Sequence, residues 1–315
     1  MSQEPFFHAP VMVAEVVELL AAVPPGVVLD ATVGGGGHAS AVLGARPDLT
    51  LIGLDQDPDA VKAAGATLAR FGQRAEVVRA RFDRLGEILD QRGVASLSGA
   101  LFDLGVSSAQ LDRPERGFSY RSEGPLDMRM DPALPRSAAD IVNTAPEADL
   151  TRLLVANGEG RLARRIARAV AAARPLPSTA ALARVVADAV PAAARRRGHP
   201  ARRVFQALRI AVNEELEVLP VALDAALARL APRGRCIVLS YHSGEDRLVK
   251  ERFVAAATGG CTCPPGLPCV CGAEPSARLL NRGARRPSPE ERLANHRAES
   301  ARLRAVERLE AQAQP

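Results

Sequence analysis

The stretch that decides the fold is Asp30-Ala31-Thr32-Val33-Gly34-Gly35-Gly36-Gly37-His38. It follows a short apolar run, Val27-Val28-Leu29, which predicts a buried strand that ends at the Asp30 carboxylate. Glycines after a strand let a ligand approach the backbone closely, and a helix beginning near His38 would offer free N–H groups. Because four consecutive glycines cost much chain entropy, the stretch indicates a binding loop and not a bare turn.

Strand and helix patterns alternate on both sides of this loop. Apolar runs at residues 50–55, 75–78 and 100–103 predict three more short strands, and residues 11–22 and 58–70 have helical spacing, with Pro58 in the first turn of its helix. Short apolar strands that alternate with helices are typical of a parallel sheet covered on both faces. The sequence therefore predicts an α/β fold with a Rossmann-like sheet.

After residue 105 the alternation stops, which predicts an inserted all-helical domain. A loop rich in Gly, Pro, Arg and Asp precedes Ala- and Leu-rich helical segments, and the apolar run at residues 235–241 predicts a strand that returns to the sheet. A helix at 244–256, a Cys-rich loop and a basic tail follow. We therefore expect two core parts, at 1–108 and 209–315, on either side of a substrate-recognition insertion at 109–208.

Three carboxylates fall at predicted strand ends: Asp30, Asp55 and Asp103. Ligands of open α/β sheets bind at the carboxyl ends of the strands, and an acid about 20 residues after a glycine loop can accept both ribose hydroxyls. An adenosine-type cofactor is therefore expected. Gly34, Gly36 and Ala39 loosely fit a dinucleotide pattern, so NAD is the competitor. Asp30 would repel a pyrophosphate, but it suits the charged amino-acid end of S-adenosylmethionine.

Charge is unevenly distributed along the 315 residues. The formal net charge is +5, yet residues 161–209 hold twelve arginines, no lysine and one acid, Asp188. This excess favours a polyanionic partner over a solvated helix face. No run approaches the roughly 20 apolar residues of a membrane span, and no basic region precedes an apolar run at the N-terminus, so we expect a cytoplasmic protein without membrane contact.

Four of the five cysteines, Cys261, Cys263, Cys269 and Cys271, form a C-x-C-x₅-C-x-C pattern. Four thiolates can close a tetrahedral zinc site, but the spacing differs from the usual C-x-x-C pairs. Bound zinc and a plain reduced loop both stay open, and no metal is expected in the catalytic site.

These motifs resemble the bacterial 16S rRNA (cytosine-1402-N4)-methyltransferase family over almost the whole chain. The resemblance rests on several long strings as well as on the glycine loop: His8-Ala9-Pro10-Val11, Leu54-Asp55-Gln56-Asp57-Pro58, Asp103-Leu104-Gly105-Val106-Ser107-Ser108, Gln110-Leu111-Asp112, Arg116-Gly117-Phe118-Ser119, Pro125-Leu126-Asp127-Met128-Arg129-Met130-Asp131, Arg164-Arg165-Ile166-Ala167, Phe205-Gln206-Ala207-Leu208-Arg209-Ile210-Ala211-Val212-Asn213, Ser240-Tyr241-His242-Ser243-Gly244-Glu245-Asp246-Arg247 and Arg297-Ala298-Glu299-Ser300-Ala301-Arg302-Leu303-Arg304. Tyr241 stands where Phe is usual, and Gly244 where Leu is usual.

The resemblance implies methyl transfer from S-adenosylmethionine to the N4 amine of a cytidine in the decoding region of 16S rRNA, in the small ribosomal subunit. It implies that the cofactor is held by Gly36, Gly37, His38, Asp55, Phe82, Asp103 and Gln110. From the residues alone, Asp30 joins this set. The oligomeric state is left open, with a homodimer as one option.

Two residues are candidates for the chemistry. Asp103 could accept a hydrogen bond from the amine and later its proton, or could only hold the cofactor. His242 is a second candidate base, since histidine titrates near neutrality, although a structural hydrogen bond is as good an explanation. Two rival functions are weighed: a nicotinamide-dependent dehydrogenase, and a non-catalytic RNA-binding assembly factor.

Overall fold

The computed structural model describes residues 10–195, 198–264 and 270–310. The chain divides into two compact units. The first comprises Met1–Gly105 and Leu216–Pro315, and the second comprises Val106–Glu215. The substrate-recognition role of residues 109–208 stays a prediction.

A single seven-stranded sheet forms the centre of the first unit in the described part of the chain. Its order is β3-β2-β1-β4-β5-β7-β6, and the pairs from β3 to β5 are parallel, whereas β7 runs antiparallel to both β5 and β6. This order confirms the predicted Rossmann-like α/β fold. The strands are β1 (Gly26–Asp30), β2 (Leu49–Asp55), β3 (Ala75–Arg79), β4 (Leu97–Asp103), β5 (Leu230–Ser240), β6 (Ala277–Leu279) and β7 (Arg302–Arg308).

Helices cover this sheet with their apolar faces. On α1, Val16 and Leu20 are buried one turn apart, and α3 begins at Pro58 with the Asp57 carboxylate accepting a hydrogen bond of 3.0 Å from the Asp59 amide. The helices of this unit are α1 (Val13–Ala21), α2 (Gly37–Ala45), α3 (Pro58–Leu68), α4 (Leu85–Gln91), α12 (Glu215–Ala228), α13 (Ser243–Thr258) and α14 (Pro289–Ala294), of which α12 starts at the last residue of the second unit.

The basic tail contains a strand that the sequence analysis did not predict. In β7 Leu303 and Ala305 are buried on one face of the sheet and Val306 on the other, while Arg302 and Arg304 pair with the Asp246 carboxylate at 2.8 and 2.7 Å. The strand pairs along β5 from Arg235 to Ser240. The alternating arginines made the strand resemble a solvated segment, but they lie on one face and share the Asp246 carboxylate of α13.

The second unit is helical in the residues that the structure describes. Its helices are α5 (Ser108–Asp112), α6 (Ala138–Thr144), α7 (Glu147–Ala156), α8 (Ala163–Ala172), α9 (Thr179–Ala189), α10 (Ala192–Arg195) and α11 (Ala201–Asn213). The Asp-Met-Arg-Met-Asp string at 127–131 is held by the buried Asn213 side chain of α11. This side chain accepts a hydrogen bond from the Met130 amide at 2.7 Å and donates one to the Met128 carbonyl at 2.8 Å. Met128 itself is fully buried.

Candidate active site

Four neighbouring strands of the first unit bring their carboxyl ends together. Asp55, Asp30 and Asp103 end β2, β1 and β4, and Tyr241 follows β5. The strands are in parallel register, with Asp30 beside Gly53 on one side and Leu101 on the other. The three predicted carboxylates therefore lie at one edge of the sheet, where α/β proteins bind their ligands.

The glycine loop is shaped by two backbone requirements. Gly36 has a φ of +82°, which favours glycine, and a Cβ at Gly37 would lie only 2.6 Å from the Cγ atom of Pro10. The Gly34 amide donates a 3.0 Å hydrogen bond to one Asp55 oxygen, and the other oxygen accepts from the Asp57 amide at 2.9 Å. The hydrogen bond from Gly34 thus connects the glycine loop to the end of β2. Helix α2 begins at the last glycine of this loop, Gly37.

Asp30 is buried with little compensation, whereas Asp55 accepts backbone hydrogen bonds on both of its oxygens. Asp30 is 2% exposed, and it accepts a hydrogen bond of 3.2 Å from the Thr32 amide. Burial raises the pKa of Asp30 to about 7, and raises that of Asp55 to about 6. The charges of Asp103 and Asp55 add to the effect on Asp30, against the lowering influence of His38. This edge of the sheet is therefore a buried acidic environment that a cationic ligand would stabilise.

Asp103 is held from three sides. The Tyr241 hydroxyl donates a 2.6 Å hydrogen bond to one carboxylate oxygen, and His38 Nε2 lies 3.4 Å from the other. The Asp103 amide donates to the Thr32 hydroxyl oxygen at 2.6 Å. Burial, with the charge of Asp103, raises the pKa of Tyr241 well above its ordinary value, so the phenol stays protonated and keeps donating. The Asp103 side chain is 24% exposed, so its carboxylate can still reach a ligand.

His38 is a buried histidine with a partly unsatisfied ring. Burial lowers the pKa of His38, but the neighbouring Asp103 and the charge of Asp30 outweigh burial and raise it overall. Its Nδ1 atom is buried and has no hydrogen-bond partner among the described residues. A buried polar atom without a partner points to a ligand group that would complete its bonding.

His242 is the N-cap of α13. Its Nδ1 atom accepts from the amides of Gly244 and Glu245 at 3.2 and 3.4 Å, and its Nε2 atom lies 3.1 Å from a Glu245 oxygen. Glu245 in turn accepts from the Tyr241 and His242 amides. This reciprocal capping supports the structural explanation for His242. Its catalytic role stays a prediction.

The remaining cofactor candidates lie in different units. Phe82 follows β3 in the first unit and makes an edge-to-face contact with Phe102, with ring centroids 6.0 Å apart. Gln110 belongs to the second unit, where its side-chain oxygen accepts from the Ser107 amide at 2.9 Å and closes the capping box of α5. The Gln110 contribution to cofactor binding is therefore an untested expectation.

Sequence reasoning missed two positioning residues. Thr32 bridges β1 and β4, because its amide donates to Asp30 and its hydroxyl accepts from the Asp103 amide. The sequence signal for this role was the position of the Thr32 hydroxyl between Asp30, at the end of β1, and the glycine loop. Tyr241 was noted only as a departure from Phe, although the added hydroxyl is the group that contacts Asp103.

The residues present fit S-adenosylmethionine. The acids at Asp30, Asp55 and Asp103 match a sulfonium, an ammonium and ribose hydroxyls, and the buried His38 Nδ1 atom lacks a partner within the described chain. Together with the sheet order, they define the class as a Rossmann-like methyltransferase.

The chain belongs to the MraW methylase family, whose profile matches residues 5–309. It is 53% identical over 312 residues to a ribosomal RNA small subunit methyltransferase H of Mycobacterium sp. strain KMS, covering 96% of this chain and 84% of that protein. The Acidothermus cellulolyticus protein of the same name is 53% identical over 310 residues, covering 96% and 94%. Family membership confirms the recognised resemblance and S-adenosylmethionine as the cofactor.

Among solved structures, an rRNA methylase from Streptococcus thermophilus overlaps with a TM-score of 0.43 at 12% identity, covering 98% of this chain and 99% of that one. In the described ranges, none of the helices is long and apolar enough to cross a membrane.

Proposed function

We propose that this protein transfers a methyl group from S-adenosylmethionine to the N4 amine of cytidine 1402 in 16S rRNA. The observation that carries the proposal is the Asp103 carboxylate, partly exposed and held by Tyr241 at the end of β4, in a chain of a methylase family. The relatives' shared name, ribosomal RNA small subunit methyltransferase H, supports the substrate. Such a substrate would place the protein's action in the cytoplasm.

The chemistry requires a better nucleophile than free cytosine offers. The N4 lone pair delocalises into the ring, so the amine must be held in line with the methyl donor and its lone pair localised. An Asp103 oxygen can accept a hydrogen bond from the amine, which favours a localised lone pair, and can take the proton after transfer. The cofactor, when bound, supplies the electrophilic methyl group. Asp30 and Asp55 bind its charged and ribose groups.

Tyr241 and His38 prepare Asp103 for this role. The 2.6 Å hydrogen bond from Tyr241 fixes the carboxylate plane, and the contact with His38 engages the second oxygen. Each carboxylate oxygen has further lone pairs, so a substrate amine can still donate to it. The cytidine must leave its stack to reach this edge of the sheet.

The second unit offers a surface for the RNA backbone. On α8 the buried residues Ala163, Ile166, Ala167 and Val170 recur at helical spacing, and the arginines before and between them are exposed: Arg161, Arg164, Arg165 and Arg168. Of these four, only Arg168 has a carboxylate oxygen within 4 Å in the described chain, at 3.7 Å on Glu147. We propose that this face, which we call the α8 basic face, binds rRNA phosphates.

The basic tail from Arg278 to Arg304 is a second arginine-rich candidate for RNA contact, but several of its arginines are paired with acids. Arg302 and Arg304 pair with Asp246, and Arg278 pairs with Glu307. Three consecutive arginines, Arg195 to Arg197, also lie in the basic segment at 161–209, but the structure describes only Arg195, where Nε donates to the Val190 carbonyl at 2.9 Å. Arg196 and Arg197 lie outside the described residues.

A methyl-transfer assay tests the activity. Small subunits from cells that lack the protein are incubated with labelled S-adenosylmethionine and the purified chain, and the product base is identified by mass spectrometry of rRNA fragments. Asp103→Asn should lower the single-turnover rate by about 10²- to 10⁴-fold, because the amide cannot accept the proton. The exposed Asp188→Asn is the matched control and should transfer at the wild-type rate. Cofactor and subunit binding with no methylation by the wild type would instead support the assembly-factor alternative.

A further inference from the structure

Three cysteines converge in the loop between α13 and β6. The Sγ atoms of Cys261, Cys263 and Cys271 all lie within 4.8 Å of one another, and those of Cys261 and Cys271 are 3.6 Å apart. A disulfide would need about 2.05 Å. In a tetrahedral site with Zn–S bonds of about 2.3 Å, the sulfur atoms lie about 3.8 Å apart. The thiols are therefore spaced as ligands of a shared ion and not as a bonded pair.

The loop is closed at its base, but none of its described residues, at 259–264 and 270–276, is buried. Gly259 ends α13 with a φ of +63°, and a Cβ there would lie 2.5 Å from the Glu274 backbone. The Ser276 amide donates to the Ala256 carbonyl at 2.9 Å, so the two ends of the loop are held side by side. Inside the loop Val270 is 89% exposed. Small segments without a core of their own are commonly stabilised by a metal or by disulfides.

We propose that Cys261, Cys263 and Cys271 bind a structural zinc ion that orders this loop, separate from the methyl-transfer site. Thiolate ligands favour zinc over the hard cations, and closed sulfur-rich sites are structural, not catalytic. The sequence holds one more thiol nearby, Cys269, which lies outside the described residues. The proposal rests on the other three, and the experiment determines the fourth ligand.

Metal analysis of the full-length chain tests the proposal. Protein purified from zinc-supplemented cells under reducing conditions and dialysed should retain near-stoichiometric zinc. Replacement by Co²⁺ should give intense sulfur-to-cobalt charge-transfer absorption together with the visible bands of a tetrahedral site. Cys261→Ser with Cys271→Ser should abolish both the retained metal and the charge-transfer band. Cys236→Ala is the matched control, because Cys236 is buried in β5 away from the loop, and it should keep both signals.

Single variants identify the ligands. Cys263→Ser should weaken zinc affinity, and Cys269→Ser distinguishes a four-sulfur site from a three-sulfur site by the cobalt spectrum. If the double variant does not fold, the wild-type zinc content and the cobalt spectrum still decide. Dialysed wild type that holds only traces of zinc would overturn the proposal. So would a cobalt adduct without charge-transfer absorption, or an iron–sulfur chromophore in the purified chain.

Discussion

If the buried carboxylate of Asp30 binds the cofactor, as we propose, cofactor binding should depend on pH. Burial raises its pKa to about 7, and that of Asp55 to about 6. In the proposed site the charged amino-acid end of S-adenosylmethionine pairs with the ionised form of Asp30, so protonation of Asp30 should compete with binding and affinity should rise with pH. If both groups must be ionised, the apparent Kd should fall about 15-fold between pH 6 and pH 7.5. Above this window the ligand's own ammonium, with a pKa of about 8, begins to titrate.

Isothermal titration calorimetry at four pH values measures this dependence, in buffers of different ionisation enthalpy so that proton release is also counted. In Asp30→Asn the carboxylate is absent, so affinity should be lower at pH 7.5. Only the contribution of Asp55 should then remain, which is about two-fold over the same range. A flat wild-type profile would refute the reasoning, and so would an Asp30→Asn variant that keeps the full slope.

Three further predictions follow from the described contacts. Because the pKa of Asp30 in the folded protein lies above the ordinary value of 3.8 for an aspartate, its charge destabilises the cofactor-free protein increasingly as pH rises towards 7. Asp30→Asn should therefore stabilise it in urea by a few kcal/mol more at pH 8 than at pH 5, and an equal effect at both would contradict this. Asp55→Ala should weaken S-adenosylmethionine binding about 10- to 100-fold, since charge-assisted hydrogen bonds are worth about 1.5–3 kcal/mol. Unchanged affinity in a folded variant would show that Asp55 does not bind the cofactor. Replacing Arg161, Arg164 and Arg165 by Ala should reduce the slope of log K against log salt for rRNA binding by about 2. The control variant replaces Arg84, Arg247 and Arg252, which pair with acids, so it removes the same number of positive charges. Equal slopes in the two variants would show that the RNA surface is not the α8 basic face.

The sheet and its strand-end acids were predictable because their signals are local. An apolar run that ends in Asp30 and is followed by glycines predicts a strand followed by a binding loop. In the same way, an apolar run that ends in Asp55 shortly before Pro58 predicts a strand followed by a helix. Strand β7 was not predictable in this way, since its arginines resemble a solvated tail until Asp246 of α13 is placed beside them. An ion pair between segments that are distant in the sequence cannot be predicted from the residue pattern of either segment alone.

The roles of His242 and Tyr241 show the same limit within the site. Sequence reasoning could identify His242 as a titratable group after the last parallel strand, but its contacts with the α13 amides depend on the helix start at Ser243. The Tyr241 hydroxyl reaches Asp103 across 138 positions of sequence. Such a contact follows from the parallel register of β4 and β5, which no local pattern contains.

The identity of the modified base tests the central claim most directly. Mass spectrometry of 16S rRNA fragments compares cells that lack the protein with the same cells carrying the wild-type chain or Asp103→Asn. We expect the N4 methyl group at cytidine 1402 to be missing in the deletion, to return with the wild type and not to return with Asp103→Asn. An unchanged methyl group at cytidine 1402 in cells without the protein, or a loss at a different base, would contradict it.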